Sequence, residues 1–377
     1  MTVMVIGGGG AMAIGAIKEL VQNPDINKII LVDQDEKKLE KVIQVFPNSK
    51  TEALVMDIKD TKKLINAMQG VNGVCNCAWY ELNIPIMNAC VDAGCHYVDL
   101  GGLYHVTFKQ LQLKEAFEKA KVTAVLGIGA SPGLVNVAIA KGAKRMDTVK
   151  EVHIRTGAKG GKGFAYSAKT ILDEVSMRPM IFTGGRIISV EPLSGRERYL
   201  LPDPVGEVEG FYSIHSELAT IPYNYAGIEE VTFRVAFSPR LLNIVDTLIS
   251  LGLLSEEEFS FKGMKVSPRT FIETYFSTQK EAEFEPEWKS FRVEVIGEKN
   301  GNYIKYAYET VVESDVENKI KATALWTGIP AAVAVWLLVK GNYKAGVFPP
   351  ELAFDPDTFL NEMTKRKIVI NERLIVS

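Results

Sequence analysis

The feature that most constrains the fold is the stretch Val3–Ala13, VMVIGGGGAMA, in which an apolar strand runs into a glycine cluster and then into a helical pattern. Val3–Ile6 has no polar face, as expected of a parallel strand buried on both sides. Reading the cluster as Gly8-x-Gly10-x-x-Ala13 gives a glycine for the tight turn, a glycine that lets a pyrophosphate approach the backbone, and a small residue for close helix packing. This order of elements predicts a dinucleotide-binding fold rather than a glycine-rich surface turn.

The residues around this turn are the candidate cofactor contacts. A helix from about Ala11 to Val21 would direct free N–H groups and its positive dipole end toward the phosphates. A second apolar strand ends in Asp33, whose carboxylate can bind the ribose hydroxyls and would repel a 2′-phosphate. NAD is therefore favoured over NADP, although Lys37 and Lys38 lie one turn further on. The predicted cofactor contacts are Gly8, Gly9, Gly10, Ala11, Met12, Asp33, Asp57, Asn76 and Ala78.

Length and charge limit the class of protein. A chain of 377 residues exceeds the size at which a single core keeps growing, so we expect two domains. Lys and Arg number 43 against 46 Asp and Glu, which gives no electrostatic surface for nucleic acid. A small-molecule partner is favoured. The first residues already form the fingerprint strand, so we expect no signal peptide and a cytoplasmic protein.

Two stretches could suggest a metal or a membrane. Four cysteines lie close together in apolar contexts without a matching His or Cys pair, so we interpret them as packed thiols and expect no metal. The apolar stretch Ala322–Val339 is interrupted by Gly328 and Pro330, and we expect a buried helix with Pro330 in its first turn and Gly341 just past its end. No membrane contact is expected. The cysteines are Cys75, Cys77, Cys90 and Cys95.

The first part of the chain alternates strands and helices, including a long helix over Lys109–Lys121. Such βαβ units predict a doubly wound parallel sheet of Rossmann type, an α/β fold, with ligands at the carboxyl ends of its strands. The third strand ends in Asp57, which either contacts the adenine side of the cofactor or caps the helix Thr61–Met68. From Lys150 onward, strand patterns separated by helical stretches predict a second, α+β domain with a mostly antiparallel sheet.

Several blocks resemble the saccharopine dehydrogenase superfamily, almost from end to end. They are CNCAWYELN, NACVDAGCHYVDLGG, GIGASPGLVN, YETVVESDVENKIKATA and GVFPPE. The resemblance implies an NAD(P)-dependent dehydrogenase acting on a C–N bond of an amino acid or amine. It also implies that residues 1–128 with 322–377 form the NAD-binding domain, and that residues 129–321 form a substrate-binding and dimerisation domain.

The lysine dehydrogenases of that family are the best match, so the first expectation is oxidative deamination of the ε-amine of L-lysine. The segment Gly210–Thr220 departs from their Gly-, Ser- and Thr-rich pattern and contains His215 and Glu217 instead, two residues apart, as on one side of an extended strand. The alternative is therefore a saccharopine or carboxynorspermidine type of dehydrogenase, which condenses an aldehyde with an amine reductively. A catalytically silent NAD-binding sensor on the same fold is a further alternative.

The chemistry requires a proton-transfer group beside the reacting carbon. Asp99 is the first candidate, because it ends a buried strand next to Gly101 and Gly102; His215 and His105 are rivals, and Tyr80 is a further donor. A substrate carboxylate would be held by an arginine, and the options are Arg155, Arg178 and Arg234. The predicted substrate contacts are Tyr80, Asn83, Asp99, Gly101, Gly102, Pro132, Tyr212, His215, Glu217, Arg155 and Arg234, in a homodimer that binds a small amine or amino acid.

Overall fold

The first domain is built on a seven-stranded parallel sheet, in a computed structural model that describes residues 1–162, 166–278 and 283–376. The strand order is β17-β6-β5-β4-β1-β2-β3. Its strands are β1 (Thr2–Ile6), β2 (Lys28–Asp33), β3 (Thr51–Val55), β4 (Gly73–Asn76), β5 (His96–Asp99), β6 (Thr123–Val125) and β17 (Gly346–Phe348). Its helices are α1 (Ala13–Gln22), α2 (Glu36–Val45), α3 (Thr61–Ala67), α4 (Asn83–Ala93), α5 (Leu103–Leu111), α6 (Lys114–Ala120) and α12 (Ala322–Lys340).

The second domain is built on a nine-stranded sheet in the order β10-β11-β12-β7-β15-β16-β18, with β8 and β9 added beside β12. Only the β12–β7 pair on this path is parallel, so the predicted mostly antiparallel sheet is confirmed. Its strands are β7 (Thr148–Gly160), β8 (Met180–Thr183), β9 (Arg186–Ser189), β10 (Glu197–Leu200), β11 (Glu207–Tyr212), β12 (Glu230–Val235), β15 (Glu287–Lys299), β16 (Asn302–Glu313) and β18 (Asn371–Val376). A separate hairpin joins β13 (Phe259–Phe261) to β14 (Met264–Val266), and the remaining helices are α7 (Leu134–Ala143), α8 (Ala168–Ser176), α9 (Ile221–Asn224), α10 (Pro239–Ser250), α11 (Pro268–Thr278), α13 (Pro350–Ala353) and α14 (Pro356–Lys365).

Two local predictions in the first domain were wrong. The helix expected over 109–121 is two helices, because Gln112 and Leu113 form a tight turn in which each N–H bonds the carbonyl three residues earlier. Asp57 does not cap α3; Asp60 does, with its side chain accepting from Lys63 N at 3.2 Å. Asp57 instead accepts from Lys59 N, two residues on, in an exposed turn.

The apolar helix α12 is packed inside the protein. It crosses α1 closely, since a Cβ at Gly15 would lie 2.0 Å from Ala324 O and a Cβ at Gly328 would lie 2.3 Å from Ala16 N. By length and composition this helix could cross a membrane, but 78% of its most apolar 18 residues are buried within the fold. Its apolar sequence is accounted for by burial against α1, β4 and β5.

The start of α12 differs from the prediction. The helix begins at Ala322, so Pro330 lies in its interior rather than in its first turn, while Gly341 ends it as expected. The cause is distant in sequence: Glu287, at the start of β15, accepts hydrogen bonds from the N–H and hydroxyl groups of Thr323 and so satisfies the first turn. A long-range cap of this kind leaves no local signal.

The C-terminal segment divides between the domains. The strand β17 pairs in parallel with β6 in the first sheet, and α12 packs on that sheet. The last strand, β18, pairs with β16 in the second sheet instead, from Ile304↔Val376 to Glu309↔Asn371. Residues 371–376 therefore depart from the expectation that all of 322–377 returns to the first domain, because the edge of β16 offers them backbone hydrogen-bond partners.

Candidate active site

The first sheet reverses its strand order between β1 and β4, and ligands of such sheets bind at this switch point. The turn glycine after β1 is Gly7 (φ +72°), one residue earlier than predicted, and a Cβ there would lie 2.8 Å from Ala78 N. Gly10 N–H closes the turn onto Gly7 O at 2.8 Å. The loop therefore packs its backbone directly on the chain that follows β4, and only glycine fits at position 7.

The carboxylate of Asp33 lies beside this loop. Its Oδ2 accepts from Gly9 N at 3.0 Å, and its Oδ1 accepts from Asp35 N at 3.1 Å. A Cβ at Gly9 would lie 2.6 Å from Lys38 Cβ, so the lysine stem borders the same loop. This arrangement fits a dinucleotide. The glycine turn and the helix N-terminus suit its pyrophosphate, and the adjacent carboxylate suits its ribose hydroxyls. The nicotinamide of such a cofactor donates or accepts hydride.

Asp99, the predicted acid–base group, is enclosed. It is 1% exposed, and its carboxylate accepts four hydrogen bonds, from Gly101 N (2.9 Å), Gly127 N (2.6 Å), Tyr97 OH (3.0 Å) and Gln110 Nε2 (2.5 Å). Burial raises the pKa of this carboxyl, while the four donors act in the opposite direction. Because four donors occupy this carboxylate, the geometry favours a structural role for Asp99. Its side chain ties the end of β5 to the loop that follows β5, through Gly101, and to the loop that follows β6, through Gly127.

Asn76 and Asn83 extend the same buried network. Asn76 Nδ2 donates to Asn83 Oδ1 at 2.9 Å and to Tyr97 OH at 3.1 Å, and Asn76 Oδ1 accepts from Ala78 N at 3.0 Å. Asn83 Nδ2 donates to Gly101 O at 3.1 Å. These predicted contacts therefore lie together, holding the carboxyl ends of β4 and β5 in position.

Tyr80 connects the two domains. Its hydroxyl donates to Asp173 Oδ2 on α8 at 2.7 Å, and burial with this partner raises the pKa of the phenol, so the hydroxyl remains a neutral donor. Asp173 also pairs with Arg269. A cavity of about 470 Å³ opens beside Tyr80, with five carboxylates and three cationic side chains in its wall. The carboxylates are Glu81, Asp173, Glu256, Glu258 and Glu273; the cations are Lys169, Lys265 and Arg269.

His215 and Glu217 do lie together, but not on a strand. β11 ends at Tyr212, and Glu217 is in a short 3-10 helix, Ser216–Ala219, that packs against α5. His215 Nδ1 bonds Glu217 Oε2, while Glu217 Oε1 accepts from Ser131 Oγ at 2.7 Å. The imidazole stacks on Phe233 with ring centroids 3.9 Å apart. The ring is thus fixed by a carboxylate on one nitrogen, in the manner of an oriented general acid–base group.

The surroundings of His215 shift the pKa of its imidazole. Burial lowers its pKa, but the carboxylates of Glu217 and Glu174 raise it by more, and the net direction is upward.

Pro132, in the same loop as Ser131, packs against the Cα positions of Gly101 and Gly127, where a Cβ would lie 2.9 and 2.8 Å from its Cγ. Gly102 N also donates to Ser216 Oγ at 3.2 Å, so loops from β5, β6 and the second domain meet at the residue that follows His215.

The arginines predicted for a substrate carboxylate lie elsewhere. Arg155 bonds Glu197 and Glu294, and Arg234 bonds Tyr212 OH at 2.7 Å and Gly195 O at 2.9 Å. In β7 and β12 these residues alternate with the core residues Ile154 and Phe233, so they lie on the opposite face of the sheet from His215. Tyr212 shares that face, and Arg178 is an exposed partner of Glu191.

The remaining candidates are simpler. His105 is exposed on α5 against Tyr104, and His96 Nδ1 accepts from Thr123 N at 3.1 Å. Of the four cysteines, Cys75, Cys90 and Cys95 are buried, and burial raises the pKa of Cys95 to about 11. Across residues 1–162, 166–278 and 283–376, no group of three or more His, Cys, Asp or Glu is arranged to hold a metal.

Sequence reasoning missed three groups around the cleft between the domains. Ser131 orients Glu217, and Glu174 on α8 is buried, with its charge raising the pKa of His215. Burial lowers the pKa of Lys289 on β15, and the charges of Glu287 and Glu174 act in the opposite direction. Glu174 and Lys289 are ordinary charged residues of a helix and a strand in sequence. Only Ser131 had a usable signal, because it lies in the strand-to-loop block GIGASPG at a carboxyl end of the first sheet.

The fold and the glycine loop at its switch point define a nicotinamide-dependent oxidoreductase with a Rossmann-type domain and a second, mostly antiparallel domain. Residues 3–125 match the family model described as the saccharopine dehydrogenase NADP binding domain, and residues 129–369 match that described as the saccharopine dehydrogenase C-terminal domain. The chain belongs to the saccharopine dehydrogenase family. It is an NAD(P)-dependent enzyme of the class that acts on C–N bonds.

Two curated relatives match along nearly the whole chain. Identity is 25% over 381 residues to carboxyaminopropylagmatine dehydrogenase of Synechocystis sp., and 26% over 399 residues to carboxynorspermidine synthase of Vibrio cholerae. Each alignment covers 96% of this chain and 94% of the relative. The structure of the L-Glu-forming saccharopine dehydrogenase from Saccharomyces cerevisiae has a TM-score of 0.77 at 15% identity and 99% coverage of both chains, which shows the shared fold.

Proposed function

We propose that this protein is a reductive-condensation dehydrogenase of the carboxynorspermidine type, which joins an aldehyde to a primary amine. The observation that carries this proposal is the cavity beside Tyr80, where carboxylates outnumber cations five to three. Such a wall attracts a di- or polyamine and disfavours a tricarboxylate such as saccharopine. The full-length similarity to two enzymes named for carboxylated polyamines supports the same substrate class.

The described residues suit the chemistry as follows. The amine attacks the aldehyde carbon to give a carbinolamine, its hydroxyl leaves as water with one added proton, and hydride added to the carbon of the resulting protonated imine gives a neutral secondary amine. His215, oriented by Glu217, would move the proton from the amine nitrogen to the aldehyde oxygen on addition and then supply the proton to the departing hydroxyl. Tyr80 donates its one hydroxyl hydrogen to Asp173, so its neutral oxygen can accept a hydrogen bond from an amine in the cavity.

The test is a substrate panel read by absorbance of the reduced nicotinamide. Purified protein is supplied with NADH or NADPH, an amino-acid aldehyde, and one amine from a series of diamines, agmatine, lysine or ornithine. We expect oxidation to require both aldehyde and diamine. Oxidation of lysine with NAD⁺ as the only productive pair would contradict the proposal in favour of lysine 6-dehydrogenase, and cofactor binding without turnover would favour a sensor.

Three further properties stay predictions. Asp33 favours NAD over NADP, whereas Lys38 beside the same loop gives a cation near a 2′-phosphate. A homodimer formed through the second domain and a cytoplasmic location are also expected. Competitive titration with the two cofactors measures the first, and light scattering at micromolar concentration measures the second.

A further inference from the structure

Cys75 and Cys77 form a pair of thiols at the carboxyl end of β4. Their sulfur atoms lie 3.8 Å apart, within the range of an S–H···S hydrogen bond. Both side chains pack in the core cluster that α1 and α12 share, on one side of the first sheet. Cys75 is buried, whereas Cys77 is partly exposed. The pair therefore combines an enclosed thiol with one that solvent can reach.

The other two cysteines lie on the opposite side of the sheet. Cys90 and Cys95 are buried in the core cluster that contains Met4 and Val74, which alternate along their strands with residues of the first cluster. Cys95 Sγ contacts the carbonyl oxygen of Val71 at 3.3 Å. The sheet separates these thiols from the first pair, so they serve as internal controls.

The backbone around Cys77 supports the glycine turn of the cofactor loop. Cys77 N donates to Ile6 O at 2.8 Å, directly before the turn. A Cβ at Gly7 would lie 2.9 Å from the carbonyl carbon of Cys77 and 2.8 Å from Ala78 N, so the turn rests on the backbone of these two residues. A shift of Cys77 therefore moves the surface on which the cofactor loop packs.

A disulfide between Cys75 and Cys77 would shift this backbone. Alternate residues of a strand are about 6.6 Å apart, near the upper end of the range of roughly 4.4–6.8 Å between Cα atoms that a disulfide spans. To bond, the two sulfur atoms must also approach from 3.8 Å to about 2.05 Å. Both requirements draw Cys77 toward Cys75 and away from its contacts with Ile6 and Gly7. A disulfide held at the limit of its geometry is easily reduced, so the change is reversible.

The two thiols suit different steps of an oxidation. Reactivity toward an oxidant follows exposure and thiolate character. The hydrogen bond with Cys77 and burial raise the pKa of the Cys75 thiol, which makes Cys75 a poor first nucleophile. Cys77 is the thiol that a small peroxide reaches first, and Cys75 then lies 3.8 Å away as the resolving thiol.

We propose that Cys75 and Cys77 are a modification site, at which a peroxide forms a reversible disulfide that weakens dinucleotide binding. The Cys77 sulfur attacks one peroxide oxygen, the O–O bond breaks, and the departing hydroxide leaves as water with the thiol proton. The Cys75 sulfur then attacks the sulfur of the resulting sulfenic acid, the S–O bond breaks, and a second water leaves with the Cys75 proton. The two thiols lose two electrons, and the peroxide gains them.

The test compares cofactor binding before and after oxidation of the intact protein. Reduced protein is treated with hydrogen peroxide, the excess is removed with catalase, and NADH and NADPH are titrated by fluorescence. We expect a loss in affinity of about 10- to 100-fold, equivalent to one or two lost hydrogen bonds from the loop to the pyrophosphate. Dithiothreitol should restore the affinity, which separates a disulfide from methionine oxidation, because dithiothreitol leaves methionine sulfoxide in place.

Two variants and a mass measurement identify the thiols. Cys77→Ser should show no loss of affinity that dithiothreitol reverses, when it is compared with its own reduced form. Cys90→Ala is the matched control, because Cys90 lies in the other core cluster, and it should respond to peroxide like wild type. The chymotryptic peptide 65–79 contains Cys75, Cys77 and no other cysteine, and should lose two hydrogen atoms on oxidation of the wild type.

Three results would overturn the inference. They are a peptide 65–79 that forms no disulfide, a disulfide that leaves the affinity for NADH and NADPH unchanged, and a reversible loss in Cys77→Ser equal to that of wild type. These measurements use no amine or aldehyde, so they are independent of the proposed condensation. A failed substrate panel leaves this inference intact, and a failed oxidation test leaves the proposed function intact.

Discussion

The cofactor edge of the first sheet and the cleft wall of the second domain are built from different chemical groups. At the cofactor edge the surface is backbone: Gly7 packs against Ala78, and Gly9 N–H bonds Asp33. The cleft wall is made of ionisable side chains, such as His215 and Glu217 on a short irregular segment and Glu174 on the helix α8. The first kind of site tolerates no added atoms, whereas the second depends on charge and protonation. Substitutions should therefore have different effects in the two regions.

The largest effect is expected in the cleft wall. His215→Gln removes the group that we assign to proton transfer, so kcat should fall by about two to four orders of magnitude while cofactor affinity is unchanged. Steady-state kinetics and fluorescence titration of the reduced cofactor measure the two quantities. His105→Gln is the control, because His105 is exposed on α5. Similar turnover in both variants would remove His215 from the mechanism.

At the cofactor edge, Gly7→Ala should weaken dinucleotide binding by about 10- to 100-fold, because it combines a left-handed backbone with a Cβ 2.8 Å from Ala78 N. Gly70→Ala is a matched control, since Gly70 has a similar φ (+78°) and open space around it. It should lose a little stability but no cofactor affinity. Wild-type affinity in Gly7→Ala would show that the turn does not carry the cofactor.

A substitution at Asp99 distinguishes a structural role of this residue from a catalytic one. Asp99→Asn keeps one carbonyl oxygen and places an amide donor against two of four existing donors, so we expect a loss of about 1–3 kcal/mol in the free energy of unfolding. Turnover per folded molecule should fall less than about tenfold. Denaturant titration and kinetics test this together. Unchanged stability with turnover reduced more than about 100-fold would restore Asp99 as the acid–base group.

A smaller effect is expected for the charge beside the glycine loop. Asp33→Ala removes the carboxylate that Gly9 N–H and Asp35 N–H orient, and should shift the ratio of NAD to NADP affinity by about tenfold toward NADP. Competitive titration of the two cofactors measures the ratio. If the unmodified protein already binds NADP more tightly, the preference assigned to Asp33 is wrong and Lys38 becomes the stronger determinant.

The smallest change concerns the pH profile. In the folded protein the carboxylates of Glu217 and Glu174 raise the pKa of His215 against the effect of burial. The stabilisation from protonated His215 is therefore fully present below the unfolded pKa of histidine and is lost as pH rises through the folded pKa. Glu217→Gln should move the alkaline limb of turnover in the condensation direction to lower pH. A limb that stays in place would mean that His215 is not the titrating group.

Much of the first domain could be predicted from sequence, because its signals are local. A buried strand, a glycine turn, a helix and an acid at the next strand end are fixed by steric and hydrogen-bonding rules within about thirty residues. The fold class and the nicotinamide cofactor follow from them, whereas the family was predicted from the resemblance of longer blocks such as CNCAWYELN and GIGASPGLVN, and all three are confirmed. Even here the phase of the glycine turn was wrong by one residue, since the contact that requires glycine at Gly7 comes from Ala78.

The cleft could be predicted only in part. His215 and Glu217 are neighbours in sequence and were paired correctly, but the side of the sheet that Arg155 and Arg234 occupy depends on strand register. The cap that starts α12 comes from Glu287, and one of the charges that raise the pKa of His215 comes from Glu174 on α8. These contacts join residues tens to hundreds of positions apart. Their geometry is set by packing of whole elements, and no local pattern in the chain encodes which ionisable groups will meet.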